Sequence, residues 1–98
     1  MHTAALTVRT PGQAERLFEI SEPETLIGRS ASSHLRVADD SISREHAVVL
    51  LEDDRYVLED LQSTNGTRVN GKRIRSAPLE NGDEIQIGQT RIHFALRS

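Results

Sequence analysis

Residues 60–71, from Asp60 to Gly71, read DLQSTNGTRVNG, and this stretch decides how the rest of the chain is interpreted. It follows an apolar run, residues 56–58, that reads as a strand. Asn-Gly occurs in it twice, and because both residues of such a pair tolerate positive φ, each pair predicts a tight reversal. The loop between strand and reversals places hydroxyls, amides and backbone N–H groups together, with Thr64 and Asn65 at its tip. Such groups suit an oxyanion or a peptide backbone, although the stretch alone is better explained as a plain double turn.

Outward from this stretch, apolar residues alternate with polar ones more often than they follow helical spacing. Turn signals separate the apolar segments at close intervals, so we predict roughly ten short strands and an all-β antiparallel sandwich. Gln13–Glu19 contains helix formers, but the flanking residues favour a hairpin. The continuous run Ala47–Leu51 is expected to be a central buried strand. The other apolar segments are Leu6–Val8, Phe18–Ile20, Leu26–Ile27, Leu35–Val37, Tyr56–Leu58, Thr67–Val69, Ile85–Ile87 and Ile92–Leu96.

Composition limits the class of protein. A chain of 98 residues is enough for one domain and not for two. Aromatic residues make up 3%, so the core must be mostly Leu, Ile and Val, and the absence of Cys excludes disulfides and thiolate metal sites. The net charge of -3 argues against a general nucleic-acid binder. No apolar run could span a bilayer and the start lacks the features of a signal peptide, so we expect a cytoplasmic protein without membrane insertion.

Two further polar clusters lie at the ends of predicted strands. Arg29 follows a strand directly and could offer a planar fork to a phosphate or carboxylate, although a surface salt bridge is the better explanation of this Arg taken alone. Ser43 and Arg44 precede the central strand and could contribute a hydroxyl and a charge to an oxyanion. His46, next to that strand, is better explained as a structural hydrogen-bonding residue.

Enzyme and metal sites are poorly supported. Ser43 and His46 lack the G-x-S-x-G elbow of a hydrolase. Gly66 and Gly71–Lys72 have the spacing of a phosphate-binding loop, but Arg73 stands where Ser or Thr should hold magnesium, and no helix follows. The four histidines have no zinc spacing and the acidic pairs lack the calcium-loop pattern. We therefore expect no catalytic residues, metal or cofactor.

In their order and spacing, the clusters resemble the forkhead-associated (FHA) domain. The resemblance covers about residues 27–94 and implies an FHA-like (SMAD/FHA) β-sandwich of eleven strands in two twisted antiparallel sheets. It also implies one domain over residues 1–98, with a core at about 5–96, inside a longer protein. The matching motifs are Gly28–Arg29, Ser43-x-x-His46, Ser63–Thr67, Val69–Gly71 and the tail Leu79–Gly88.

The same resemblance implies a role for each binding residue. Arg29 and Ser43 would hold the phosphate of a phosphothreonine, and Arg44 could add a further contact. Thr64 would contact the phosphate or shape a pocket for the threonine methyl, and Asn65 would bond the peptide backbone. Structural support of the binding loops would come from Gly28, His46, Gly66, Asn70 and Gly71.

The resemblance further implies a module for phosphothreonine-dependent protein–protein interaction in signalling by Ser/Thr protein kinases. The expected partner is a phosphothreonine-containing protein, which is either a kinase substrate or the kinase itself, and not a nucleic acid. An alternative is a structural or oligomerisation module that packs on a neighbouring domain independently of phosphate. In that case a hydrophobic surface patch would carry the interaction.

Overall fold

The computed structural model describes residues 3–97, which form eleven β-strands in two sheets. The strand-rich sandwich that the sequence predicts is thereby confirmed. A membrane-spanning helix is absent from the described part of the chain. The strands are β1 (Thr3–Arg9), β2 (Arg16–Ile20), β3 (Glu24–Gly28), β4 (Leu35–Arg36), β5 (Ala47–Glu52), β6 (Arg55–Asp60), β7 (Thr67–Val69), β8 (Lys72–Ile74), β9 (Ser76–Pro78), β10 (Glu84–Ile87) and β11 (Thr90–Arg97).

The strand order in the two sheets accounts for the sequence pattern. One sheet has six strands in the order β2-β1-β11-β10-β7-β8, and the other has five in the order β4-β3-β5-β6-β9. Strand β5 lies in the middle of the second sheet, which confirms the prediction of a central strand at its continuous apolar run. One detail of the expected sheets is corrected, because β3 and β4 pair in parallel through Ile27 opposite Leu35.

The core lies between the inward faces of the two sheets and is built mainly from Leu, Ile and Val, as the low aromatic content predicts. The six-stranded sheet contributes fully buried side chains such as Leu6, Ile85 and Phe94, and the five-stranded sheet contributes Leu58. Tyr56 packs edge-on against Phe94 across the core, with ring centroids 5.5 Å apart and ring planes at 62°. Edge-to-face contact is a favourable geometry for aromatic pairs.

The two Asn-Gly pairs in the deciding stretch behave differently. Asn70 and Gly71 both adopt positive φ, at 51° and 84°, and form a two-residue hairpin turn between β7 and β8. At the first pair Gly66 has a φ of 85°, whereas Asn65 does not adopt a positive φ. The chain there passes from β6 in one sheet to β7 in the other, so this pair forms no hairpin.

Two strands, β8 and β9, were not predicted from the sequence. Both are three-residue strands at the outer edge of their sheet, and neither shows an alternating apolar pattern. Lys72 and Arg73 are exposed on β8, and Pro78 lies in β9. Charged residues and proline are typical of edge strands because they discourage further pairing.

Candidate functional site

Three loops meet at one end of the sandwich, and we call this end the rim: residues 29–34, 37–46 and 61–66. The backbone N–H of Arg29 donates to the Ser43 carbonyl at 3.1 Å, which joins the first two loops. The backbone N–H of Thr64 donates to the Ser43 hydroxyl oxygen at 3.0 Å, which joins the third. The structure therefore brings together residues from three separate clusters of the sequence, with Ser43 at their junction.

Gly28 permits the closest approach between the first two loops. It is buried, and a Cβ built on it would overlap the Arg44 carbonyl oxygen and lie 2.8 Å from the Arg44 carbonyl carbon. The same Cβ would lie 2.9 Å from the Ser33 hydroxyl oxygen. The requirement for glycine here is one of space, because the Arg44 backbone and the Ser33 hydroxyl occupy the place of a side chain.

Arg29 is an exposed residue whose guanidinium is anchored through one N–H. Its Nε donates to the Ile42 carbonyl at 3.1 Å. Its two terminal nitrogens have no acceptor within the described residues 3–97. A guanidinium with one anchored N–H and free donors at its far end is pre-oriented for an anion, because the anchored bond removes part of its rotational freedom.

The second and third loops of the rim also carry neutral polar groups. The Ser43 hydroxyl accepts from the Thr64 backbone N–H, and its own proton has no acceptor within the described part of the chain. The side chain of Thr64 is exposed at the loop tip. Hydroxyl and guanidinium donors together can satisfy several oxygens of a tetrahedral oxyanion.

Arg44 and Asn65 occupy the edges of the same rim. Arg44 is exposed, and its backbone carbonyl accepts from the Ser30 N–H at 3.1 Å. Asn65 is also exposed, and its Nδ2 donates to the Ser41 carbonyl at 2.8 Å. This bond holds the loop tip against the second loop and fixes the direction of the amide.

His46 is fully buried, with 0% of its surface exposed, and links the second loop to the third. Its Nδ1 accepts from the Ser43 backbone N–H at 3.1 Å, and its Nε2 lies 2.8 Å from the Gly66 carbonyl oxygen. A carbonyl can only accept, so these partners place the ring proton on Nε2. His46 thus contacts the backbone on both sides of the rim and does not face the open end.

A network around Asp60 shapes the third loop and was not identified from the sequence. The Asp60 carboxylate accepts from the Ser63 hydroxyl at 2.5 Å, from the Ser63 backbone N–H at 3.2 Å and from the Thr67 hydroxyl at 2.7 Å. The Ser63 hydroxyl oxygen in turn accepts from the Gly66 backbone N–H at 2.9 Å. The carboxylate therefore fixes the loop that carries the Thr64 tip.

Asp39 has a similar role under the second loop. One carboxylate oxygen accepts from the hydroxyl and the backbone N–H of Ser41, at 2.5 and 2.9 Å. The other accepts from the Gln89 backbone N–H at 3.1 Å and the Thr90 hydroxyl at 2.9 Å. The loop is thereby tied to the turn between β10 and β11.

Both carboxyls titrate at lower pH than an ordinary aspartic acid. Burial acts to raise the pKa of Asp60, but the hydrogen bonds from Ser63 and Thr67 outweigh it and lower the pKa. Burial likewise opposes the hydrogen bonds that lower the pKa of Asp39. A carboxyl whose pKa is lower in the folded chain adds stability above its ordinary pKa of about 3.9. That stability is lost as the pH falls through the lower pKa of the folded state.

Acid should therefore destabilise the fold partly through Asp60. We expect the free energy of unfolding to fall as the pH drops from about 5 towards 2, and to fall less steeply in Asp60→Asn, because the amide cannot titrate. Chemical denaturation at a series of pH values measures this slope. The exposed carboxyl of Asp40 offers a matched control, Asp40→Asn. Equal slopes for Asp60→Asn and the unsubstituted chain would contradict the assignment.

The structure separates Asn70 and Gly71 from the rim. They lie at the other end of β7, where the Asn70 side chain accepts from the Glu84 N–H at 3.0 Å and donates to Asp83 at 2.9 Å. Gly71 completes the hairpin turn. The contacts of Asn70 brace the turn against the start of β10 and do not reach the loops at the rim.

Comparison with known proteins gives a consistent picture. The family model described as "FHA domain" matches residues 25–88. The chain is 39% identical over 92 residues to the glycogen accumulation regulator GarA of Mycolicibacterium smegmatis, covering 94% of this chain and 58% of that protein. It therefore spans little more than half of that relative's length.

Two solved structures are similar in fold and sequence. One is the FhaA FHA domain complexed with the intracellular domain of Rv3910, with a TM-score of 0.85, 30% identity and coverage of 93% of this chain and 98% of that one. The other is Mycobacterium tuberculosis EmbR in complex with a low-affinity phosphopeptide, with a TM-score of 0.86 and 32% identity. That match covers 95% of this chain and 24% of EmbR. With a family model spanning more than half of its residues, the chain belongs to the FHA domain family.

Proposed function

We propose that this chain is a binding module that recognises phosphothreonine in a partner protein and performs no catalysis. The observation that carries the proposal is the meeting of Arg29, Ser43 and Thr64 at the rim through hydrogen bonds that involve Ser43. The two free guanidinium nitrogens of Arg29 and the hydroxyl proton of Ser43 are the groups that would bind the phosphate.

The chemistry of the phosphate fits these groups. A phosphothreonine carries about -1.5 to -2 charges at neutral pH and three strong acceptor oxygens. Charge-assisted hydrogen bonds are worth about 1.5–3 kcal/mol each. A dissociation constant around the micromolar range corresponds to about 8 kcal/mol, so we expect these bonds to supply part of it and contacts to the peptide backbone to supply the rest. An unmodified hydroxyl offers no negative charge to Arg29, so phosphorylation would act as the switch.

The remaining rim residues would set orientation and selectivity. Asn65 is fixed against Ser41 and would bond the peptide backbone beside the modified residue. Thr64 would line the space for the threonine methyl, and Arg44 would add charge from the edge. The partner would be a substrate of a Ser/Thr protein kinase or the kinase itself, and the module would act inside the cell, where such kinases phosphorylate their substrates.

Titration with three matched peptides tests the proposal. The peptides differ only in carrying phosphothreonine, phosphoserine or unmodified threonine at one position. We expect the unmodified peptide to bind about 100-fold more weakly or worse, because it loses at least two charge-assisted bonds. Phosphoserine should bind about fivefold more weakly or worse, because it lacks one buried methyl. Isothermal titration calorimetry measures all three constants under one set of conditions.

Equal binding of the three peptides would contradict phosphothreonine recognition. It would favour the alternative of a phosphate-independent structural or oligomerisation module. That alternative further requires that substitutions at Arg29 and Ser43 leave partner binding intact.

A further inference from the structure

Strand register places four arginines in one row across the outer face of the six-stranded sheet. Arg73 on β8 lies directly opposite Arg68 on β7, and Arg91 on β11 lies directly opposite Arg9 on β1. Gln86 on β10 pairs with Arg68 on one side and Arg91 on the other. We call Arg9, Arg68, Arg73 and Arg91 the arginine row.

The row faces away from the core. All four arginines are exposed, whereas the chain neighbours of Arg9 and Arg91 are buried, as is Thr67 beside Arg68. Thr67 beside Arg68 has 0% of its surface exposed, and the same holds for Thr90 and Ile92 on either side of Arg91. Successive side chains of a strand point to opposite faces, so the guanidinium groups lie on the solvent side of the sheet.

Three of the four guanidinium groups have no carboxylate partner. Arg9 forms an ion pair with Glu15 at 2.7 Å. Arg68, Arg73 and Arg91 have no carboxylate within ion-pair distance among residues 3–97. Like charges directly opposite each other on neighbouring strands are destabilising, and Arg68 and Arg73 are such a pair. An anion bound over them would relieve this repulsion.

The row is continuous with the rim. A Cβ built on Gly66 would lie 2.8 Å from the Nε of Arg73 and 3.0 Å from its Cζ, so the guanidinium lies over the backbone of the third loop. Beyond Arg73 is an open groove of about 710 Å³ whose lining also includes Arg75, Ser63 and the acidic residue Asp60. The positive charge therefore extends across the sheet on a chain whose net charge is -3.

We propose that the arginine row is a second interaction surface that binds an extended acidic segment of a protein partner, independently of phosphothreonine. Five adjacent strands separated by about 4.8 Å give the row a length of about 19 Å. An extended peptide repeats its same-face side chains about every 6.7 Å, so about three carboxylates fit along that length. Three unpaired guanidinium groups are available to receive them.

The narrowness of the row favours a peptide over a nucleic acid. The next row on the same outer face contains Glu84 opposite His93, and His93 lies opposite Thr7. A single extended chain can follow the arginines alone, whereas a nucleic acid would also place phosphates over Glu84. Proteins that bind nucleic acid also usually carry a broad basic surface, and this chain has a sequence pI of about 5.8.

An NMR titration of the isotope-labelled chain with an unphosphorylated probe tests the proposal. The probe is a nine-residue peptide with glutamate at every second position and serine or glycine between, and its control replaces each glutamate by glutamine. We expect the acidic probe to shift backbone signals of β7, β8, β10 and β11, and the control peptide to leave them unchanged. Raising the salt from about 0.05 M to about 0.5 M should weaken the binding severalfold.

Substitutions test whether the probe binds through the arginine row or through positive charge elsewhere on the chain. We expect Arg68→Gln and Arg91→Gln each to weaken the probe about two- to fivefold, and the double variant about tenfold or more. The exposed Arg55 on β6 lies on the other sheet and gives the matched control Arg55→Gln, for which we expect unchanged affinity.

Three results would overturn the proposal. The first is an absence of shifts on the six-stranded sheet at saturating probe, and the second is a set of shifts confined to the rim around Arg29. The third is tighter binding of a single-stranded oligonucleotide than of the acidic probe at the same salt concentration. Since the probe carries no phosphate, none of these results depends on whether the rim recognises phosphothreonine.

Discussion

Replacing Arg29 by alanine is expected to weaken binding of a phosphothreonine peptide by at least about 2 kcal/mol, or about 30-fold. The reason is that the Nε of Arg29 is anchored to the Ile42 carbonyl, next to Ser43, while its terminal nitrogens have no acceptor among residues 3–97. The affinity of Arg29→Lys should fall between those of the unsubstituted chain and Arg29→Ala, because lysine keeps the charge but loses both the planar fork and the Nε bond to the Ile42 carbonyl. Calorimetric titration of the three chains with one phosphopeptide measures the series.

Arg55→Ala is the matched control for charge. Arg55 is exposed and begins β6, at the end of that strand away from the rim. We expect it to bind the phosphopeptide as the unsubstituted chain does, whereas general electrostatic attraction would make both substitutions costly. A loss below about threefold for Arg29→Ala in a folded chain would exclude Arg29 as a phosphate ligand.

Gly28→Ala is expected to lower the free energy of unfolding by about 2–3 kcal/mol, because a Cβ at this position overlaps backbone atoms that cannot rotate away. The two loops are also tied by the bonds from Arg29 to Ser43 and from Ser30 to Arg44, so relief requires moving the residues that we propose to bind the phosphate. Phosphopeptide affinity should therefore fall together with stability. Urea denaturation and peptide titration of the same preparation measure both effects.

Gly12→Ala is a control that separates the effect of steric overlap from the effect of backbone conformation. Gly12 has a φ of 80°, and a Cβ built on it would have no atom within 4 Å. Alanine there should lower the free energy of unfolding by about 1 kcal/mol through backbone strain alone and leave peptide binding unchanged. If Gly28→Ala behaved like Gly12→Ala in both measurements, the close approach at Gly28 would have no functional consequence.

Most of the fold could be predicted from the sequence because the strands of the sandwich carry either alternating or continuous apolar patterns. Residues 47–51 show this best, since a continuous apolar run predicted a central strand and β5 occupies that position. The pattern could not reveal β8 and β9, which are three residues long and pack only partly against the core. It also could not show that β4 runs parallel to β3, because the sequence of a two-residue strand does not indicate which strand it pairs with or in which direction.

The sequence indicated which residues to consider for the candidate site, but not the hydrogen bonds that hold the loops of the rim together. Ser43 and Thr64 are 21 positions apart, and the bond between them follows from the fold and not from local pattern. The roles of Asp39 and Asp60 went unrecognised, although each precedes a serine by two or three residues. Short Asp–Ser spacings of this kind are a known signal for side chains that cap turns.

The crossing of the chain from β6 to β7 also links ligand binding to the relative position of the two sheets. Ser43 is carried by one layer of the sandwich, and Thr64 lies on the segment that crosses to the other layer. If one sheet shifted along the other by a single residue, about 3.3 Å, the distance between these two side chains would increase. A ligand bound between these two side chains would thus stabilise the relative position of the two sheets.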